Sequence, residues 1–444
     1  MINELNSQAF EFVKLITLRS RQTSYQNLEL KGSAKERGIN DFSDRIDGNG
    51  VARVFNDAEK IVAIFLFNGD DGYGLDEKPY PLFAAFVSKI SKLGEFKNTV
   101  STNFIEQQSF EWIIDIYQNK QAAHNLIDHL RAETEKIIEE HEFYFPVLNL
   151  ETESPFRLGN VEFIFFTKEY MDDLYKSYQS LQKPMSESDF NKILRTEYQG
   201  KLLAKVKVSA EREKAEEIAK RDAEIAVDVL KIYSSTLLIP EQRIMLGLNY
   251  RPNYPVRSNF LAKEAGKKNG FVINMQWNNP LFELTNTNLD FAFKNGMQAF
   301  SKYITLKKED EFYNLIFQAI HFIASAFSNW DLNSRCVNII TSLESLLLKD
   351  DEEKDLERRA KARLAKVMSN DHKEKEKIKE IFGGIYQVRH KMIHKAKKID
   401  VNVELLRQAQ LILVDLLVKL MDLNTNKGFT EKNILIERLN EEKS

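Results

Sequence analysis

The stretch Ile378–Lys398 reads IKEIFGGIYQVRHKMIHKAKK. Its apolar residues Ile378, Ile381, Ile385, Val388 and Met392 recur at spacings of 3, 4, 3 and 4. That is the period of one buried helix face. Such a face needs other helices to cover it, and the flanking sequence supplies them. Cys336, Ile339, Ile340, Leu343, Leu346 and Leu347 make a second stripe. Leu405, Ala409, Ile412, Leu416, Leu420 and Leu423 make a third, after a helix cap at Asp400 or Asn402. Everything after about Thr285 reads as helix, so residues 283–444 are expected to form a helical bundle, antiparallel and with no strand from about residue 285 onward. The charge run DDEEKDLERRAKAR, Asp350–Arg363, reads as a solvated helix face, acids leading and bases trailing as the dipole favours.

Upstream the period changes. VEFIFFT (Val161–Thr167) is β-rich, and LAKVKVSA (Leu203–Ala210) places Ala204, Val206, Val208 and Ala210 on one face, with Lys205 and Lys207 on the other. A charged helix follows from Glu211 to about Tyr233, its inner stripe Ile218, Ile225, Val229 and Ile232. GFVINMQW (Gly270–Trp277) looks like another strand. Residues 143–282 therefore read as a small α/β domain. Residues 1–142 are mixed and mainly helical, with helices around Pro81–Leu93, Asn103–Tyr117 and Gln121–His141, and with glycine turns in RIDGNG and NGDDGYG. The whole is an α+β multidomain chain, mostly helical.

Composition narrows the function classes. Net charge is −3 over 444 residues, so any polyanion contact must come from a local patch. Cys336 is the single cysteine, which excludes an internal disulfide or a thiolate-rich zinc site and fits a reducing cytosol. MINELNSQAF does not read as a signal peptide, and IVAIFLF (Ile61–Phe67) is too short to span a bilayer. We expect a cytoplasmic protein with no membrane contact.

The local patch is VRHKMIHKAKK, Val388–Lys398, which holds one Arg, two His and four Lys without an acid. On an ideal helix Arg389 falls at the edge of the apolar stripe, and His390 and His394 on the open side. Arg389 and His394 are separated by roughly 140°. One straight helix cannot close both on a single phosphate; a kink could, or a second copy of the chain. Spacing alone says little, because a lysine-rich helix C-terminus also complements the helix dipole.

Context makes the pattern specific. YQVRHKMIHKAKK resembles the Arg-x4-6-His signature of HEPN domains, in which the Arg is commonly followed by Asn, Asp or His. CVNIITSLESLLLKDDEEKDLERRAKARLA is similar to the helix that precedes the motif in the Apea-like HEPN group. FPVLNLETES and LGNVEF, leading to LLAKVKVSAEREKAEEIA, look like the domain that often precedes it. The resemblance covers about residues 145–425 and is firmest over 332–423. It implies a homodimeric, metal-independent endoribonuclease without a cofactor, in which two motifs face each other. Arg389 would hold the scissile phosphate, His394 would move protons, and His390 would be the auxiliary polar residue. The chemistry suits these types, since imidazole serves as acid or base near neutrality and guanidinium is a fixed, charged fork.

Lys391, Lys395, Lys397 and Lys398 are then the candidate RNA-binding residues, and Glu344 a support that either pairs with Arg389 or merely sits on its helix. Apea-like members are associated with bacterial defence against phage by cutting cellular RNA, including transfer RNA. Some HEPN toxins carry Tyr two residues after the motif His, where a partner nucleotidyltransferase modifies them; Ala396 occupies that position here, so that control is not expected. Residues ahead of the bundle, which carry no catalytic constellation, are expected to sense a phage or protein trigger, or to restrain the nuclease. The competing reading is a non-catalytic HEPN module that binds a nucleotide or a protein partner.

Other candidates are bland. His124, His129 and His141 could be imagined around a metal, but the first two fall on different helix faces, and no metal site is expected. His321 reads as a satisfied, partly buried histidine. Trp112, Trp277 and Trp330 read most simply as core, with stacking on a base the alternative.

Overall fold

The computed structural model describes residues 1–20, 49–56, 58, 60–68, 71–120, 125–179, 186, 189, 192, 195, 198, 200–242, 244–248, 258–263, 271–276, 281–306, 308 and 310–441. Expectations for His124, Trp277 and the turn at 45–48 lie outside them. The chain forms two compact units. The first holds Met1–His141 with Val208–Ile218, and the second Glu142–Lys207 with Ala219–Ser444.

In the first unit, strands β1 (Thr17–Ser20), β2 (Asn49–Phe55), β3 (Ile61–Asn68) and β4 (Asp71–Leu75) make an antiparallel sheet in the order β1-β4-β3-β2. Helices α1 (Ile2–Val13), α2 (Tyr80–Ile90), α3 (Gly94–Lys97), α4 (Thr102–Tyr117) and α5 (Leu126–Ile137) accompany it. Their core is aromatic, with Phe12, Phe83, Phe86, Phe110 and Trp112 buried. NGDDGYG, expected as a turn, falls partly outside the described residues. Its Gly72 and Gly74 lie in β4, where a Cβ would stand 2.5 Å from the Phe67 ring and 2.1 Å from the Phe65 ring, so glycine admits those rings. The helix expected to run to His141 ends at Ile137, and β5 (Glu139–Leu148) begins there.

In the second unit β5 joins β7 (Phe156–Leu158), β8 (Val161–Phe165), β9 (Leu202–Ala210) and β10 (Gly247–Leu248) in the order β10-β5-β9-β8-β7. β6 (Leu150–Thr152) pairs in parallel with β13 (Phe282–Leu284), and β11 (Ser258–Lys263) pairs with β12 (Phe271–Gln276). Val206, Val208 and Ala210 point inward as their alternation required, and Lys207 outward. Lys205 does not follow the rule. It is buried, because its ammonium reaches the Tyr170 hydroxyl at 3.0 Å and Glu142 at 3.2 Å. Burial alone would raise the Glu142 pKa, but hydrogen bonds from Lys207, Tyr144 and Lys205 outweigh it and pull it down to about 2.

Helix α6 (Lys168–Gln179) and the long helix α7 (Arg212–Ile232) lead to the bundle. The bundle contains α8 (Asn286–Ala292), α9 (Gln298–Thr305), α10 (Glu311–Phe327), α11 (Leu332–Leu347), α12 (Leu356–Met368), α13 (His372–Lys395), α14 (Val403–Asn426) and α15 (Lys432–Glu441). No strand occurs after Leu284 among the described residues. The α11 stripe is wholly buried, and Asn402 caps α14 through the Leu405 amide at 3.1 Å. The α14 core is turned from the expected stripe. Leu406, Ala409, Leu413, Leu416, Leu417 and Leu420 face inward, leaving Leu405, Ile412 and Leu423 half-buried. Leu405 flanks Gly384, where a Cβ would approach its Cδ2 to 2.4 Å; glycine lets α13 and α14 pack closely. No described helix is long and apolar enough to cross a membrane.

Candidate functional site

Helix α13 places the motif. Asp371 caps its start by accepting from the Glu374 amide at 2.9 Å, and the helix runs unbroken through Arg389 and His394 to Lys395. It stops at Ala396, whose φ of 48° is left-handed, and the Lys397 amide returns to the Lys391 carbonyl at 3.2 Å. No kink brings Arg389 and His394 round to one side, so the ideal-helix separation of roughly 140° stands.

The Arg389 side chain is 30% exposed, and its Nη2 forms an ion pair with Glu344 Oε2 on α11 at 3.1 Å; the Glu344 side chain is 16% exposed. The Tyr386 hydroxyl donates to the other carboxylate oxygen at 3.2 Å, and the guanidinium lies 6.0 Å from the Tyr386 ring centre. One carboxylate thus ties two α13 side chains to α11. Burial, and after it Glu344, raises the Tyr386 pKa well above the ordinary phenol value, so the hydroxyl stays a donor. Arg389 Nε is buried without a hydrogen-bond partner among the described residues. The arrangement is an anchored fork: Nη2 is paired with a carboxylate, Nε is buried, and part of the side chain is exposed.

His390 and His394, one turn apart, are exposed with ring centres 4.8 Å apart. Lys391, Lys395, Lys397 and Lys398 are exposed as well. Lys398 pairs with Asp331 at 3.3 Å, and Asn333 and Ile399 exchange hydrogen bonds of 3.0 and 3.1 Å. The basic tail therefore runs back along α11 toward that helix's start.

Elsewhere the structure revises the candidates. His321 Nδ1 meets buried Asp228 at 2.8 Å, and Lys231 holds the same carboxylate at 2.8 Å, so this histidine is satisfied. His129 lies on α5, where burial lowers its pKa, and His141 lies on β5. Among the described residues no group of three His, Cys, Asp or Glu is placed to hold a metal. Trp112 is core as expected, but Trp330 is not: it is 61% exposed in the link between α10 and α11. The run at 350–363 is not simply a solvated face. Arg363 is buried and donates to Glu352 twice at 2.6 Å and to the Leu347 carbonyl at 2.8 Å. Sequence reasoning missed Tyr386. Its signal was present, since three residues before Arg389 is the same side of a helix.

No family model matches the chain, and neither a curated protein nor a solved structure matches it.

Proposed function

We propose that the protein is a metal-independent endoribonuclease that cuts single-stranded or loop RNA, transfer RNA among its candidate substrates, as a cytoplasmic homodimer in bacterial defence against phage. The observation that carries the reading is the Arg389–Glu344–Tyr386 constellation on the helix that also presents the His390–His394 pair. A guanidinium fixed by a carboxylate is preorganised for a second anion, here a phosphodiester. Because Arg389 and His394 diverge on one helix, a two-fold axis beside the end of α13 would let each phosphate meet Arg389 of one copy and His394 of the other.

The reaction needs no external nucleophile. The RNA 2′-oxygen attacks phosphorus while His394 takes its proton, the bond to the 5′-oxygen breaks, and that oxygen is protonated as it leaves. The products are a 2′,3′-cyclic phosphate and a 5′-hydroxyl. Proton transfer by a placed imidazole contributes about 10²–10⁴-fold, and Arg389 stabilises charge building on the phosphate. DNA, lacking the 2′-hydroxyl, is inert, and loops are preferred because a stacked A-form strand resists in-line geometry. Lys391 and Lys395 add positive charge near the motif, and Lys397 and Lys398 hold backbone phosphates.

Cleavage of a labelled RNA hairpin tests the proposal. Arg389→Ala and His394→Ala are each expected to abolish cleavage and to relieve toxicity on expression, with circular dichroism unchanged and with EDTA without effect on the wild type. Activity retained in His394→Ala, or lost with EDTA, overturns it and leaves the non-catalytic module.

A further inference from the structure

We propose that His390 and His394 form a chelating site for a divalent late transition-metal ion, zinc, nickel or copper, and that the bound ion silences the nuclease. The chelate stands on the geometry of α13; the silencing rests on the function proposed above. The two imidazoles sit one helical turn apart and both are exposed, with ring centres 4.8 Å apart and planes inclined at 46°. Two imidazoles on one ion tolerate only a narrow range of spacings. With each nitrogen about 2.0–2.1 Å from the ion and about 1.1 Å from its own ring centre, the centres lie about 4.5 Å apart at a right angle and about 5.1 Å apart at the tetrahedral angle. The observed spacing falls between the two. Among the described residues no hydrogen bond or ion pair takes up either ring.

The surroundings select the ion. No third His, Cys, Asp or Glu joins the pair among the described residues, so water completes the coordination sphere and the ion stays exchangeable. Magnesium and calcium take oxygen ligands, whereas zinc, nickel and copper favour imidazole. Exposed Lys391 and Lys395 oppose any cation here, but their ammonium groups sit on flexible stems, and salt screens exposed charges over about 8 Å. The helix offsets that repulsion. It stops at Lys395, so the last carbonyls of α13 present the negative end of its dipole to the pair. On binding, each ring donates a nitrogen lone pair to the ion and water leaves it. A neutral imidazole carries its proton on one nitrogen and has its only basic lone pair on the other. With that lone pair on the metal, His394 can no longer take the proton of the 2′-hydroxyl. The ion adds positive charge beside Lys391 and Lys395, so RNA still binds and turnover alone stops.

The experiment titrates the untagged, metal-free full chain with zinc chloride by isothermal titration calorimetry, and follows cleavage of the labelled RNA hairpin over the same concentrations. Zinc is expected to bind saturably and magnesium chloride to give no signal. His390→Ala and His394→Ala should each weaken zinc binding by about 100-fold or more, because either change turns a chelate into a single ligand. Cleavage should fall with the midpoint of zinc binding, through kcat rather than KM, and return when EDTA removes the ion. No saturable binding, or binding that both variants retain, overturns the site. Zinc held by both histidines with cleavage undiminished overturns the silencing and leaves the nuclease standing. A wild type that binds zinc through both histidines yet cleaves no RNA when metal-free upholds the chelate, and brings down the nuclease together with the silencing that rests on it.

Discussion

At the scale of single residues, the two arginines of α11 and α13 divide the work. Arg389 keeps part of its side chain in solvent, while Arg335 is fully buried. Four carbonyl oxygens accept from Arg335: Pro240 at 2.5 Å, Asn329 at 2.7 Å, Gln242 at 3.1 Å and Phe327 at 3.5 Å. Burial lowers its pKa to about 10, so it remains a cation at neutral pH. Removing it strands carbonyls in the interior, each worth about 1–3 kcal/mol if left unpaired. Arg335→Ala is therefore expected to cost about 3 kcal/mol or more in urea unfolding. Arg335→Lys should recover little, because a point charge cannot replace a planar fork. A loss under about 1 kcal/mol would mean that water satisfies these carbonyls and that the clamp is energetically idle. Nothing local in the sequence distinguishes Arg335 from a surface arginine, since its partners lie as far away as residue 240. Arg389 was legible because its motif and its stripe lie on one helix, where position fixes direction.

At the scale of elements, the loop between α11 and α12 depends on Glu352. Hydrogen bonds from Arg363, first, outweigh burial and with those from Arg359 draw the Glu352 pKa from 4.5 down to about 2. A carboxyl depressed on folding stabilises the fold above its unfolded pKa and loses that effect as pH falls through its folded one. The shift corresponds to about 3 kcal/mol at about 1.4 kcal/mol per pH unit. Glu352→Gln should thus lower stability at pH 7 by up to about 3 kcal/mol, and the gap to wild type should close between about pH 4.5 and about pH 2. A gap that persists at pH 2 would assign the loss to packing. The same loop shows the limit of charge patterning. Acids leading and bases trailing fit a dipole-matched surface helix, yet three-dimensional closure selected one acid and one base from the run and buried them together. Periodicity did better where one face was strongly apolar: the α11 stripe and the outward Lys207 were legible. The α14 core was displaced because Leu and Val occupy nearly every side of that helix, so neighbouring helices decided which residues turned inward.

At the scale of the molecule, the bundle and the α/β segment belong to one compact unit, and polar contacts explain why. His321 of α10 reaches Asp228 of α7, Gln410 of α14 donates to the Thr236 carbonyl at 2.9 Å, and Arg335 takes carbonyls at 240 and 242. The Ser301 hydroxyl accepts from the Gly159 amide at 2.9 Å. The change from strands to helices after Leu284 was legible in the sequence pattern. These ties were not, because each joins residues far apart in sequence. A fragment of residues 283–444 would strand buried Arg335 and Gln410 together, and buried groups without partners are what a fold tolerates least. We expect that fragment to be cut rapidly by trypsin and to give no cooperative thermal transition, whereas the full chain resists cutting. A cooperative, protease-resistant 283–444 fragment would show that the bundle folds alone and that these bonds only trim it. The outcome decides how restraint by the preceding residues can be tested. A silent 283–444 fragment reports lost structure rather than lost regulation, so restraint has to be read from substitutions in the full chain rather than from that cut.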